Sequence, residues 1–172
     1  MNRIGQTHMA THAEWRQWFD DHTPKFLLFA RQKSRFEADA QDLVQEAVVE
    51  AMERAESASP PPVALVMATI HRRAIDLARS EDRRAVREFK VQEGTPQAWF
   101  DNQVEEREHS QLIQSAMSQL PDIYREVVTL KVWGELTFAE IAEALGIPAN
   151  TAASRYRYGL EELRKLTKEV LA

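Results

Sequence analysis

The chain contains no cysteine, which excludes disulfides and cysteine-ligated zinc or iron–sulfur centres. Glycine is scarce, at five of 172 residues, and β-branched runs are absent. Apolar residues recur at helical spacing almost everywhere, so the expected fold class is all-α. The longest apolar run, Val63 to Ile70, is far too short for a membrane span. The first residues also lack a signal-peptide core, and the expectation is a cytoplasmic protein without membrane insertion. Catalytic sets are missing too. His22, His71 and His109 fall on separate segments with no activated nucleophile beside them, and read as surface or packing residues of a non-enzyme. His8 and His12 have metal-ligand spacing but no third ligand, so no metal or other cofactor is expected.

What is present is charge, unevenly spread. The net charge is −5, which on its own argues against a nucleic-acid binder. Residues 37–56, however, carry seven acids against Arg54 alone, and residues 91–109 carry five against Arg107 alone. Residues 71–90 hold seven Lys or Arg against four acids, and 150–172 hold five against three. Such alternation suits a protein that touches both DNA and a basic protein surface. A series of ordinary solvated helices has the same pattern.

A length of 172 residues allows one large domain or two small helical ones. The first ten residues have no periodicity, and Met9 is an alternative to Met1 as the start. Thr11 and Glu14 form a capping box ahead of Trp15, Trp18 and Phe19. Thr23-Pro24 predicts the cap and first turn of a second helix through Phe26, Leu27, Leu28, Phe29 and Ala30. A third helix is expected from about Ala38 to Glu56. Its stripe is Val44, Ala47, Val48, Ala51, Met52 and Ala55, and Asp39, Asp42, Glu46, Glu50 and Glu53 load the opposite face. That acidic face reads as solvated, or as a docking surface for a basic partner.

Pro60, Pro61 and Pro62 break the chain and start a helix from Val63 to Arg79 or beyond, with Val66, Met67, Ile70, Ala74, Leu77 and Ala78 inward. Its far end, HRRAIDLARSEDRRAVREFK, is basic. It suits a phosphate backbone and unpaired bases, or else is an exposed helix whose arginines are neutralised by Glu81, Asp82 and Glu88. Residues 91–109 read as an acidic interdomain linker. Trp99 and Phe100 within it either pack on a flanking domain or await a partner. Beyond it a helix ends before Pro121, and Asp122 is expected to cap the next, with Ile123, Val127, Leu130 and Val132 inward.

The segment TFAEIAEALGIPANTAASRYRYGLEELRKL, Thr137 to Leu166, has the spacing of a helix-turn-helix. Thr137 caps a short helix carrying Phe138, Ile141, Ala142 and Leu145, and Gly146 ends it. Pro148 then fits the first turn of a second helix through Ala152, Tyr156, Leu160 and Leu163. That helix presents Asn150, Thr151, Ser154, Arg155, Arg157 and Tyr158, side chains that bond base edges and phosphates. A plain helical hairpin with a solvated face is the alternative.

Two matches in this order resemble bacterial sigma factors of the extracytoplasmic-function group of the sigma-70 family. The first joins DLVQEAVVEA at 42–51 to IDLARSEDRR at 75–84. The second is LPDIYREVVTLKVWGELTFAEIAEALGIPANTAASRYRYGLEELRKL at 120–166. The resemblance implies two small helical domains joined by an acidic linker. Residues 10–92 would bind core RNA polymerase and open the minus-ten element. Residues 93–109 would thread through the polymerase, and 110–172 would read the minus-thirty-five element of promoter DNA.

By the same resemblance Asp42, Gln45 and Glu46 lie on the polymerase-binding helix. Arg72, Arg73, Asp76, Arg79, Arg83 and Arg84 lie where the family meets the non-template strand. Asn150, Thr151, Ser154, Arg155, Arg157 and Tyr158 fall on the recognition helix. An anti-sigma factor is a further implied partner.

The sequence also departs from the family pattern. Where many members place an aromatic residue and an asparagine, this chain reads VALVMATIHRRAID, and the usual GTVKSR of the recognition helix is NTAASR. A stand-alone helix-turn-helix regulator, binding an operator without polymerase, is the alternative function.

Overall fold

In the computed structural model, residues 9–55, 58–88, 97–101 and 107–171 are described. Among them seven helices follow one another: α1 (His12–Arg31), α2 (Glu37–Ala55), α3 (Val63–Glu88), α4 (Arg107–Gln119), α5 (Asp122–Val132), α6 (Phe138–Leu145) and α7 (Ala149–Leu171). The all-α expectation holds. Only the backbone is described for residues 81–88, so Arg83 and Arg84 are placed on α3 and no further, and the pairing expected of Glu81, Asp82 and Glu88 lies outside the described side chains.

The capping box at Thr11 forms as read. The Thr11 hydroxyl accepts from the Glu14 N–H, and the Glu14 carboxylate accepts from the Thr11 N–H at 2.6 Å. The break expected at Thr23-Pro24 does not occur, and α1 runs through Pro24 to Arg31. Proline there removes one backbone hydrogen bond, to the carbonyl of the exposed Asp20. Packing across the break outweighs that loss, because the Trp18 and Phe26 rings meet at 5.6 Å centroid separation and Phe26 is fully buried. Burying a side chain of that size stabilises by about 2–3 kcal/mol.

Helices α1 to α3 pack together through Phe26, Phe29, Leu43, Ala47, Val66 and Ile70. Leu77 and Ala78, expected inward, are exposed. Helix α3 has run past its neighbours by then, and every residue from Ile75 to Ser80 faces solvent. Helix α5 also starts differently from expectation. Pro121 holds the cap position without a side-chain hydrogen bond, while Asp122 is already helical and pairs with Arg125.

The two halves of the chain share one core. Val127, Leu130, Leu136, Ile141, Ala142 and Ala152 from the second half join Phe26, Phe29 and Ile70 from the first in a single buried cluster. Helix α6 lies against α3, and α5 touches α1. Polar contacts cross the same boundary. Lys33 pairs with Glu126, the Thr129 hydroxyl donates to the Gln32 side chain at 3.0 Å, and Lys25 pairs with Glu135. A smaller cluster of Met117, Leu120 and Val128 lies under Trp99, Trp133, Leu163 and Leu166. Among the described residues no helix is long and apolar enough to cross a membrane.

Candidate functional site

The helix-turn-helix is built as its residue types dictate. The Thr137 hydroxyl accepts from the Glu140 N–H at 3.2 Å, and the Glu140 carboxylate takes the Thr137 N–H at 2.7 Å. That backbone bond, with the hydroxyl's own, pulls the Glu140 carboxyl below its ordinary range. Helix α6 ends on Gly146 at φ 66°, ψ 38°, a left-handed conformation that favours glycine. The Ile147 N–H closes back onto the Ala142 carbonyl at 3.0 Å. Pro148 sits one residue ahead of α7, and its carbonyl accepts the N–H groups of Thr151 and Ala152. Gly146, Ile147 and Pro148 form the turn.

On α7, Ala152 is fully buried, and Tyr156 packs on Phe138 at 5.6 Å. Asn150, Arg157 and Tyr158 are exposed, while Thr151, Ser154 and Arg155 are half-buried. Five of these six residues, all but Arg157, line one open groove with Ile123 and Tyr124 of α5. The Ser154 hydroxyl donates to the Asn150 carbonyl at 2.9 Å, which leaves its oxygen lone pairs as acceptors. Tyr158 faces Tyr124 at 6.4 Å and sits beneath the Arg157 guanidinium at 5.1 Å. This contact presents Arg157 from a fixed platform.

The second candidate surface lies on the first half. Asp42, Gln45 and Glu46 are all exposed on α2, and Val49 and Met52 continue that face outward. An open cleft of about 440 Å³ runs between this helix and α3, lined by Asp39, Asp42, Glu46, Arg72, Arg73 and Asp76 among others. Arg72 and Arg73 both hydrogen-bond Glu50, and Arg73 reaches Glu46 as well. Desolvation alone would raise the Glu50 pKa, but the hydrogen bonds from Arg72 and then Arg73 outweigh it and hold it low. Arg79 is exposed, with Asp76 at 4.0 Å. Among the described residues no group of three His, Asp or Glu is arranged to hold a metal.

Comparison with known proteins identifies both parts of the chain that carry these surfaces. The family pattern "Sigma-70 region 2" matches residues 18–84, and "Sigma-70, region 4" matches residues 110–163. The chain is 28% identical over 173 aligned positions to the ECF RNA polymerase sigma factor SigL of Mycobacterium tuberculosis, covering 99% of this chain and 98% of that one. This chain belongs to the extracytoplasmic-function sigma factors of the sigma-70 family.

One further relative agrees in sequence, and a solved structure shares the fold. The sigma factor SigW of Bacillus subtilis is 43% identical over 63 residues, 37% of this chain and 34% of SigW. The fold resembles the sigma factor RpoE of Bartonella quintana, solved in complex with the anti-sigma factor NepR. The TM-score is 0.66 at 18% identity, covering 90% of this chain and 96% of that one.

As a sigma factor the chain is a non-enzymatic subunit that directs RNA polymerase to promoters, with region 2 serving the minus-ten and region 4 the minus-thirty-five element.

The sigma factor also carries buried polar groups that periodicity did not reveal. Arg31 is 7% exposed and makes two hydrogen bonds to Glu37, each 2.8 Å. The Arg31 bonds bring Glu37 down to about 2 against partial desolvation, and Gln97 and Gln41 add to the effect. His71 lies between the halves, with Nδ1 buried and unpartnered, 3.8 Å from the Glu126 carboxylate. Burial and then Lys33 lower its pKa, while Glu126 opposes them. Each of these residues sits beside an apolar stripe, so a helical count leaves it among the solvated positions.

Proposed function

We propose that residues 10–92 dock on core RNA polymerase and open the minus-ten element, that 93–109 are the linker, and that 110–172 read the minus-thirty-five element. Asp42, Gln45 and Glu46 meet the polymerase. Arg72, Arg73, Asp76, Arg79, Arg83 and Arg84 meet the non-template strand. Asn150, Thr151, Ser154, Arg155, Arg157 and Tyr158 meet the upstream duplex. The observation carrying this is that the exposed acids of α2 and the arginines of α3 flank one cleft, while the α7 set forms a separate exposed face behind a glycine-ended turn. An anti-sigma factor is a further partner, by likeness to RpoE with NepR. The chain acts in the cytoplasm, where its polymerase and promoters are.

Three measurements test the proposal. Core enzyme with the purified chain and a genomic promoter pool is expected to start RNA at new positions, and no new start overturns the proposal. Arg155→Ala with Arg157→Ala is expected to cut initiation there about tenfold or more, since each lost charged contact to a base or phosphate costs roughly 1–3 kcal/mol. Asp42→Lys with Gln45→Lys, which leaves the Glu46–Arg73 pair intact, is expected to abolish co-purification with core enzyme. Retained co-purification moves the docking face elsewhere.

A further inference from the structure

Arg72 and Arg73 are held from behind by acids of α2, and Glu50 is the centre of that hold. Its side chain is 18% exposed, against 45% for Arg72, so the carboxylate lies deeper than the guanidinium it pairs with. One Glu50 oxygen accepts from Arg72 Nη2 and lies 2.9 Å from Arg54 Nη2. The other accepts from Arg73 Nε at 2.8 Å. Arg73 Nη1 donates to Glu46 in turn. Two of the three Arg73 nitrogens are thereby engaged, and the plane of the group is fixed.

The pairing changes what these arginines recognise. An unpaired guanidinium follows any phosphate, whatever the sequence. Here Arg54, Arg72 and Arg73 face Glu46 and Glu50, so most of the charge is answered within the protein while the remaining N–H groups keep set directions. Planar donors held in this way suit base edges. The cleft they border supplies an apolar surface as well. Its volume of about 440 Å³ lies in the range of small-molecule clefts, about 300–1,000 Å³, and Leu43 and Leu77 line it beside the polar groups. Leu77 follows Arg73 by one helical turn and is exposed, next to the donors and open to the face of an unstacked base.

We propose that Glu50 is a positioning residue that sets specificity at the minus-ten element, a reading that rests on placing Arg72 and Arg73 against the non-template strand. By holding both arginines it turns phosphate-seeking cations into directed donors to unpaired bases. Glu50 acts through them and makes no contact of its own with the strand.

The test uses holoenzyme assembled from core enzyme and the full chain. Two single-stranded probes are compared: the non-template minus-ten strand of a promoter at which the parent starts RNA, and the same bases scrambled. Fluorescence anisotropy gives each affinity, and their ratio is the preference; permanganate reactivity gives the rate of opening on the duplex. Circular dichroism checks the helices of each variant.

Glu50→Gln keeps the size of the side chain and removes its charge. The scrambled probe is expected to bind about threefold more tightly or better, with a log–log salt slope steeper by about 0.7 for each arginine released to a phosphate. Preference and opening rate are expected to fall about tenfold. Glu50→Asp keeps the charge but draws the carboxylate back by one methylene, and is expected to lose preference at an unchanged salt slope. Arg72→Ala with Arg73→Ala is expected to lower preference and opening, and Glu50→Gln added to that pair to lower preference no further.

Preference at the parent's value in both Glu50 variants overturns the proposal, as does equal weakening of both probes, which marks Glu50 as merely structural. If the paired arginine variant keeps the parent's preference and opening, the placement of the arginines fails first, and the proposal with it.

Discussion

Gly159 sets the distance between the recognition helix and the helix behind it. It is buried on α7, and a β-carbon there would lie 2.8 Å from Val128 Cγ2 and 3.3 Å from Tyr124 Cβ. Carbon atoms rest at about 3.5–4.0 Å, so Gly159→Ala forces α7 outward by roughly 0.7–1 Å. Alanine gains about 1 kcal/mol over glycine in a helix interior. Overpacking costs about 1–3 kcal/mol, and the expected net loss is about 1 kcal/mol, or about 2–4 °C in Tm.

The partner substitution makes the reasoning testable. Val128→Ala deletes the clashing methyl at a cost of about 2 kcal/mol. Gly159→Ala added to that background is expected to restore about 1 kcal/mol. Its sign therefore reverses, with a coupling of about 2 kcal/mol. Urea unfolding of the four proteins, followed by circular dichroism, measures this. If Gly159→Ala has the same effect in both backgrounds, the claim that Val128 sets the separation is wrong.

Three further outcomes are expected. The folded pKa of Glu37, about 2, lies below its unfolded value, so its stabilisation is complete above pH 4.5 and is lost as pH falls toward 2; Glu37→Gln should flatten the Tm profile across that window. His71 is held neutral in the fold with a lowered pKa, so its contribution is complete above pH 6.5 and declines as pH falls below it; His71→Gln should remove that part of the decline, and an unaltered profile would show that the ring titrates freely. Thr137→Ala breaks the capping box of α6 and should cost about 1 kcal/mol, read as faster amide exchange in α6 than in α5.

Legibility in the sequence followed the range of the interaction. The capping box at Thr11, the cap at Thr137 and the stop at Gly146 depend on residues a few positions apart, and the structure repeats them, adding Glu140 to complete a box at Thr137. The run of α1 through Pro24 was not legible, because it is decided by Trp18 and Phe26 closing over the gap. Asp122 looked like a cap by residue type, yet the backbone turn at Pro121 takes that place. The candidate site divides the same way. The exposure of Asp42, Gln45 and Glu46 and of Asn150 and Arg157 follows from helical phase. The gripping of Arg72 and Arg73 by Glu50 and Glu46 joins residues more than twenty positions apart. The seating of Trp99 depends on hydrogen bonds with Arg31 and Gln114, far from it on both sides in sequence.

Glu50 pairs with Arg54 on its own helix and with Arg72 and Arg73 on the next. One carboxylate is thus shared by three guanidinium groups on two helices to which the proposed function gives different tasks, so neither helix can be recharged in isolation. A neutralised α2 frees cations on the neighbouring helix, and, under the proposed function, arginines drawn toward phosphate strand an anion beneath the docking face. Phenotypes of single charge variants on either helix will therefore mix two causes, which only paired substitutions can separate.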